Sequence, residues 1–158
     1  MAEYAFRKID IDALDEDVIL PSDLYDADPR GAEGVLGDAQ RKSTEARNLI
    51  SRGDIGGALN LILTDPPYGE GVDEAKHLTT SALLLILNST RAAEIPSLLK
   101  GLGEPQQDRL MAYLYKGMAA LGASTDISGS VLLTWHEKLT EVAGVGCIVR
   151  VMTDRRTV

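Results

Sequence analysis

Val-Leu-Leu-Thr-Trp-His-Glu-Lys, residues 131–138, contains the only tryptophan of this 158-residue chain. Val131, Trp135, Leu139 and Val142 recur at the spacing that places side chains along one face of an α-helix. Gly144 and Gly146 follow, and glycine readily takes the positive φ that ends many helices. We therefore expect a helix here whose apolar side, led by Trp135, packs into a structural core.

Apolar stripes with the helical period also precede this segment. The first ends at Arg52-Gly53-Asp54, where Gly53 suits the residue after a helix and Asp54 can cap the next one. A third helix is expected over residues 73–88, and Leu85 and Ile86 lie in its apolar run, which indicates a central core helix. The stripes are Ala46, Leu49 and Ile50; Ala58, Leu59, Ile62 and Leu63; Ile95, Leu98, Leu99 and Leu102; and Leu110, Met111, Leu114, Met118 and Leu121.

Residues 147–152 are ambiguous from sequence. The β-branched Ile148, Val149 and Val151 favour a strand. A strand needs a partner for its backbone groups, and no other stretch offers a convincing one. We expect a last short helix, with Ile148 in the core and Cys147 as a small buried apolar residue. The fold class is then all-α, an irregular superhelix or bundle of six or seven short helices.

Charge divides the chain into two parts. Residues 1–40 carry eleven acidic and three basic side chains, whereas residues 41–158 carry thirteen of each, so the net charge of −8 arises in the first part. We expect an acidic arm over residues 1–40 and a helical domain over residues 41–158. A neutral domain with an acidic arm argues against nucleic-acid binding. Neither a signal peptide nor a membrane span is apparent, which predicts a soluble intracellular protein.

The arm begins with a segment in which apolar and charged residues partly alternate, Phe6-Arg7-Lys8-Ile9-Asp10-Ile11-Asp12. Such alternation is consistent with an extended peptide that docks on a partner. Composition alone favours a solvated tail. The only phenylalanine of the chain lies here, which favours docking.

One motif points to an enzyme. Asp65-Pro66-Pro67-Tyr68 matches the tetrapeptide that amino-methyltransferases acting on adenine place after a strand. Those enzymes also need a parallel sheet and a glycine-rich turn for the methyl donor, and no such pattern is present. His136-Glu137 lacks the second histidine of a zinc helix. The sequence nominates no catalytic residue and no cofactor.

Several segments together resemble subunit 5 of the actin-related protein 2/3 complex, which nucleates branched actin filaments. The resemblance implies an all-helical, non-catalytic scaffold in the cytoplasm and actin cytoskeleton. The matching residues are Phe6, Arg7, Asp10 and Asp12; Leu114, Tyr115, Lys116 and Gly117; Val131, Leu132, Leu133, Trp135, His136, Glu137 and Lys138; and Gly144, Val145, Gly146, Ile148, Val149, Arg150, Val151, Thr157 and Val158.

The same resemblance implies how such a scaffold would assemble. The helical domain would dock on neighbouring subunits, chiefly the β-propeller subunit, and the arm would tether actin-related protein 2, with actin bound indirectly. An unrelated helical adaptor of the solenoid type stays an alternative, and the methyltransferase is a more distant one. The residues expected to bind partners are Phe6, Arg7, Ile9, Asp10, Ile11, Asp12 and Arg150, and those expected in the core are Leu85, Ile86, Leu114, Trp135 and Ile148.

Overall fold

The computed structural model describes residues 28–121, 128–154 and 158. Those residues form seven α-helices and no strand, so the all-α prediction is confirmed. The helices are α1 (Gly31–Ser51), α2 (Ile55–Leu63), α3 (Asp73–Ser89), α4 (Ile95–Lys100), α5 (Glu104–Ala119), α6 (Gly129–Ala143) and α7 (Val145–Thr153).

The turn between α1 and α2 follows the predicted chemistry. Gly53 has a φ of +80°, and its amide donates to the Ile50 carbonyl at 2.9 Å. The carboxylate of Asp54 accepts from the Gly57 amide at 2.8 Å, which satisfies a backbone donor that the first turn of α2 leaves open. Because the turn is short, α1 and α2 pack against each other, and α3 packs on both.

The helical region begins ten residues earlier than the sequence predicts. α1 starts at Gly31, and its first turns bury Val35 and Ala39 against Val72 and Ala75 in a small separate cluster. The first ten residues of α1 therefore lie within the range 1–40 that the sequence analysis assigned to the arm. The stripe was missed because its next inward position is taken by Lys42, a polar residue that interrupts the apolar pattern.

Trp135 lies at the centre of the main core. Its indole ring is fully buried, and its Nε1 donates to the Leu87 carbonyl of α3 at 3.3 Å. Ile86 of α3 and Leu114 of α5 are fully buried in the same cluster. α6, which carries Trp135, packs against α3, α4, α5 and α7.

A glycine sets the distance between α5 and α6. Gly117 is buried, and a Cβ atom added there would lie 3.3 Å from both methyl groups of Leu132. That separation is tighter than side chains normally tolerate, so the absent side chain lets the two helices approach.

Leu85 and Leu121 were predicted to be buried in the core, but both are exposed. Leu85 is 44% exposed, whereas Leu83, Ile86 and Leu87 of the same apolar run are buried. The prediction that α3 is surrounded by other helices is therefore wrong for this position. Leu121 is also exposed, because α5 ends at Ala119 and no longer directs it inward.

Residues 147–152 are helical, as predicted. Gly144, with a φ of +75°, separates α6 from α7, whereas Gly146 lies within α7 and ends no helix. Cys147 is fully buried, and Ile148 is half-buried against the main core. Burial, followed by the nearby Asp108 carboxylate, raises the pKa of the Cys147 thiol to about 12.

Candidate docking surface

α7 carries apolar side chains on two faces. Its inner face places Cys147 and Val151 against the core. Its outer face presents Val145, Val149 and Met152, which are 66%, 56% and 61% exposed. Their spacing of four and three residues aligns them in one row, which we call the α7 stripe.

A row of exposed apolar residues differs from scattered ones. Single apolar side chains are common on protein surfaces, whereas a contiguous set on one helix marks an interaction surface. Burying such side chains stabilises a complex by about 25 cal/mol for each Å² of apolar area removed from water. The α7 stripe is therefore the strongest candidate docking surface among the described residues.

A groove runs beside the α7 stripe and shares Met152 with it. Its volume is about 960 Å³, and we call it the α5–α7 groove. Tyr68, Ala112 and Tyr115 supply apolar wall area, and Val158 closes part of it. The α7 stripe and this groove adjoin at Met152, and the groove combines apolar wall with charged side chains.

Charged side chains at the groove form a pair between α5 and α7. The Arg150 guanidinium donates to both Asp108 carboxylate oxygens at 2.7 and 2.8 Å, and Glu104 lies 3.1 Å from it. Burial acts to raise the pKa of Asp108, but hydrogen bonds from Arg150 and Cys147 together with the positive charge of Arg150 outweigh burial and hold that pKa below its ordinary value. Arg150, expected to bind a partner, therefore already has partners within the chain.

Lys116 also lines the groove. Its Nζ donates to the Val158 carbonyl oxygen at 2.6 Å, and the Val158 side chain is buried in the main core. Burial, followed by the positive charge of Lys76, lowers the pKa of the Lys116 ammonium. This contact fixes residue 158 against α5.

A cluster of charged side chains holds the start of α1, and we call it the α1 anchor. Arg30 donates to Asp28 at 2.6 and 2.9 Å and to Asp38 at 3.2 Å. Asp38 also pairs with Arg41 and, at 2.8 Å, with the buried Lys42. The hydrogen bond from the Arg30 side chain is the main cause that lowers the pKa of Asp28 to about 2.

Lys42 connects the α1 anchor to the loop after α2. Its Nζ donates to the backbone carbonyls of Thr64 and Asp65 at 2.7 and 3.1 Å. The segment Asp65-Pro66-Pro67-Tyr68 therefore follows a helix and is bound through its backbone. An amino-methyltransferase places this tetrapeptide after a strand, so the structure does not supply the setting that its chemistry requires.

The remaining polar candidates have contacts within the chain. Tyr115 Oη and His136 Nε2 lie 3.1 Å apart, and their rings meet edge to face. Lys138 pairs with Glu137 and Glu141 on the outer side of α6. Within residues 28–121, 128–154 and 158, no three His, Cys, Asp or Glu side chains are grouped as a metal site requires. None of the described helices has the length and apolarity to cross a membrane.

The sequence-predicted partner residues of the arm, Phe6, Arg7, Ile9, Asp10, Ile11 and Asp12, lie outside the described residues. Sequence reasoning missed both the α7 stripe and the α1 anchor. A signal for the first was present, since Val145, Val149 and Met152 share one helical spacing while Cys147 and Val151 occupy another face. A short helix that is apolar on two faces cannot bury both of them in one small core.

Comparison with known proteins identifies the family. Residues 5–158 match the family described as ARP2/3 complex 16 kDa subunit (p16-Arc). Actin-related protein 2/3 complex subunit 5 of Saccharomyces cerevisiae is 37% identical over 158 residues, which cover 99% of each chain. Subunit 5-C of Xenopus laevis is 37% identical and the human subunit 5-like protein 31% identical, each over 97% of this chain and 94% of the relative. By these similarities and its all-α fold, the chain belongs to the family of the ARP2/3 complex 16 kDa subunit.

Proposed function

We propose that this chain is a non-catalytic structural subunit of an actin-related protein 2/3 complex, located in the cytoplasm at the actin cytoskeleton. The observation that carries the proposal is the family match, which runs from residue 5 to residue 158 and so includes the arm as well as the helices. In this proposal the helical domain fixes the chain to the complex, and the arm tethers actin-related protein 2 to support branched nucleation.

The α7 stripe is the surface that we assign to docking of the helical domain, with the β-propeller subunit as its partner. The stripe is apolar and projects from a rigid helix, and its supporting residues Cys147 and Val151 are fixed in the core. A partner that covers Val145, Val149 and Met152 would remove from water the largest aligned apolar row among the described residues.

The arm supplies the tether. Tethering raises the local concentration of a second binding event to the millimolar range when a flexible link spans the two sites. Actin-related protein 2 would then stay close to the rest of the complex while it moves, even if the arm binds it with only modest affinity. Phe6 and Ile9 are the apolar side chains that we expect to supply most of the docking energy.

Reconstituted complex containing Phe6→Ala/Ile9→Ala tests the tether. We expect assembly of the helical domain to be preserved and branched nucleation in a pyrene–actin assay to fall several-fold. Replacing Asp15 and Asp17 by Asn is a matched control, since exposed charges contribute little. Unchanged nucleation in the Phe6/Ile9 variant would contradict the tethering role, as would unchanged nucleation after deletion of residues 1–27.

The docking surface is tested by Val149→Asp, with Leu85→Asp as the control. Both residues are exposed and apolar, but Leu85 lies on α3 away from the α7 stripe. We expect Val149→Asp to reduce co-purification with the other subunits at least tenfold, because a charge would lie in an apolar contact. Equal incorporation of both variants would show that the helical domain docks elsewhere.

A further inference from the structure

We propose that, while the chain is unassembled, the α5–α7 groove binds the chain's own residues 5–12. The groove would then cover the apolar docking segment of the arm until partner subunits replace it. This inference goes beyond the tethering role, since it concerns the isolated chain and needs no other subunit.

A series of contacts connects the first described residues to one wall of the groove. Asp28 is held by Arg30, and the α1 anchor continues through Asp38 to Lys42. Lys42 binds the carbonyl of Asp65, and Tyr68, three residues later, lines the groove. Three residues span at most about 11 Å, so the end of this series of contacts lies close to the wall, and residues 1–27 join the described chain on the side of the fold that these contacts connect to Tyr68.

The chain between the arm segment and Asp28 is long enough to reach the groove. Sixteen peptide units separate Asp12 from Asp28, and fully extended they span at most about 50–60 Å. A flexible chain of this length has a root-mean-square end-to-end distance of about 20–24 Å. Reaching the groove therefore requires no opening of the fold, and the effective concentration of the segment would be millimolar.

The groove and the segment have complementary chemistry. Ala112 and Met152 offer apolar wall to Phe6, Ile9 and Ile11 of the arm. A volume of about 960 Å³ lies at the upper end of the range for ligand pockets, and an extended peptide occupies such a groove better than a compact small molecule does.

Charge provides a second match. Residues 5–12 contain two basic side chains, Arg7 and Lys8, followed by two acidic ones, Asp10 and Asp12, which flank Ile11. The groove is also lined by charges of both signs, so the match depends on which charges meet and not on net charge. Lys116 presents a half-buried ammonium in the groove, and the hydrogen bond that the structure shows for it goes to the Val158 carbonyl oxygen. A carboxylate of Asp10 or Asp12 beside Lys116 would compensate the positive charge of the ammonium group. We therefore place the acidic half of the segment next to Lys116.

Disulfide trapping in the isolated full chain tests this placement. The Ala5→Cys/Met152→Cys variant places one thiol at the arm segment and one in the groove. Ala5→Cys/Leu133→Cys is the matched control, because Leu133 is 62% exposed and Met152 61%, yet Leu133 does not line the groove. The native Cys147 is buried and does not compete. With dilute protein and diamide as oxidant, non-reducing electrophoresis separates monomeric from dimeric products.

We expect the monomeric disulfide to form at least tenfold faster with Met152→Cys than with Leu133→Cys. Adding Phe6→Ala/Ile9→Ala should remove most of that difference. Equal rates at the two positions would overturn the proposal, as would a rate that is indifferent to Phe6 and Ile9. Mainly dimeric product would assign the groove to a second copy of the chain instead. Because no other subunit is present, failure of this test leaves the tethering proposal intact, and the nucleation assay can fail independently.

Discussion

Residues 28–42 at the start of α1 and residues 129–143 of α6 bury their side chains in different ways. α6 buries Trp135 and Leu139 in a large apolar core. The start of α1 buries only Val35 and Ala39 in its small cluster and adds the charged α1 anchor. Salt screens the attraction between exposed charges, whereas apolar burial does not depend on that screening. The region that joins the arm should therefore respond to solution conditions that leave α6 unchanged.

Of the substitutions considered, Trp135→Ala should cause the largest loss of stability. Removing a fully buried aromatic side chain costs about 3–5 kcal/mol in the free energy of unfolding. The cavity would open between α3, α5 and α6, so both ends of the molecule should lose stability together. Urea denaturation followed by circular dichroism measures this change, with Leu133→Ala on the exposed side of α6 as the control. A loss below 1 kcal/mol would contradict the central position of Trp135.

Lys42→Ala should give an intermediate and local loss. The substitution removes the partner of Asp38 and leaves the Thr64 and Asp65 carbonyls without their donor. Hydrogen bonds from a charged donor contribute about 1.5–3 kcal/mol, and because these two are only part-buried we expect a loss at the lower end of that range. Amide hydrogen exchange should quicken over residues 31–42 and stay unchanged in α6. Lys100→Ala, at an exposed lysine, is the control, and uniform quickening across all helices would refute the separation of the two regions.

Acid should act on the start of α1 before it acts on α6. The pKa of Asp28 is lowered from 3.8 to about 2, so its contribution to stability is complete above about pH 4 and is lost as the pH falls toward 2. Burial acts to raise the pKa of Asp38, but hydrogen bonds from Lys42 and Arg41 together with their positive charges outweigh burial and lower it. Carbon chemical shifts of residues 31–36 should move toward coil values between pH 4 and 2. Trp135 fluorescence should change only at lower pH, and a single shared transition would contradict the comparison.

Val149→Ala should have the smallest effect on folding. Val149 belongs to the exposed α7 stripe, and surface substitutions usually change stability by less than about 0.5 kcal/mol. Val35→Ala is the comparison variant, because it removes the same two methyl groups from a buried valine. That loss should lower the free energy of unfolding by more than about 1 kcal/mol. Thermal unfolding of the two variants, monitored by circular dichroism, measures the difference. Similar melting temperatures would show that the α1 cluster contributes little.

The helices that could be predicted from sequence are those with regular apolar stripes and clear ends. The α1–α2 turn followed from Gly53 and Asp54, and the helical state of residues 147–152 followed from the lack of a strand partner. The start of α1 could not be predicted, since Val35 and Ala39 are small and Lys42 takes an inward position through a charge pair. Leu85 was misplaced because an apolar run does not show which of its residues has a neighbour.

The candidate surface depended on packing that the sequence does not show. Val149 and Val151 are the same residue type two positions apart, yet one is exposed and the other packs on the core. Only the position of α7 on α5 and α6 separates them. Arg150 was expected at an interface from its family match, and its pairing with Asp108 could not be inferred without that geometry.

The thiol of Cys147 is unreactive in the folded chain, and this has a practical consequence. The thiol is fully buried, and burial with the adjacent Asp108 carboxylate raises its pKa to about 12, so almost no thiolate exists near neutral pH. Alkylating reagents and mild oxidants attack the thiolate, and they should therefore modify this residue only in molecules where α7 has detached. The rate at which Cys147 is labelled would therefore measure how often α7 detaches from the core. No engineered probe would be needed, because the reporting thiol is native to the chain.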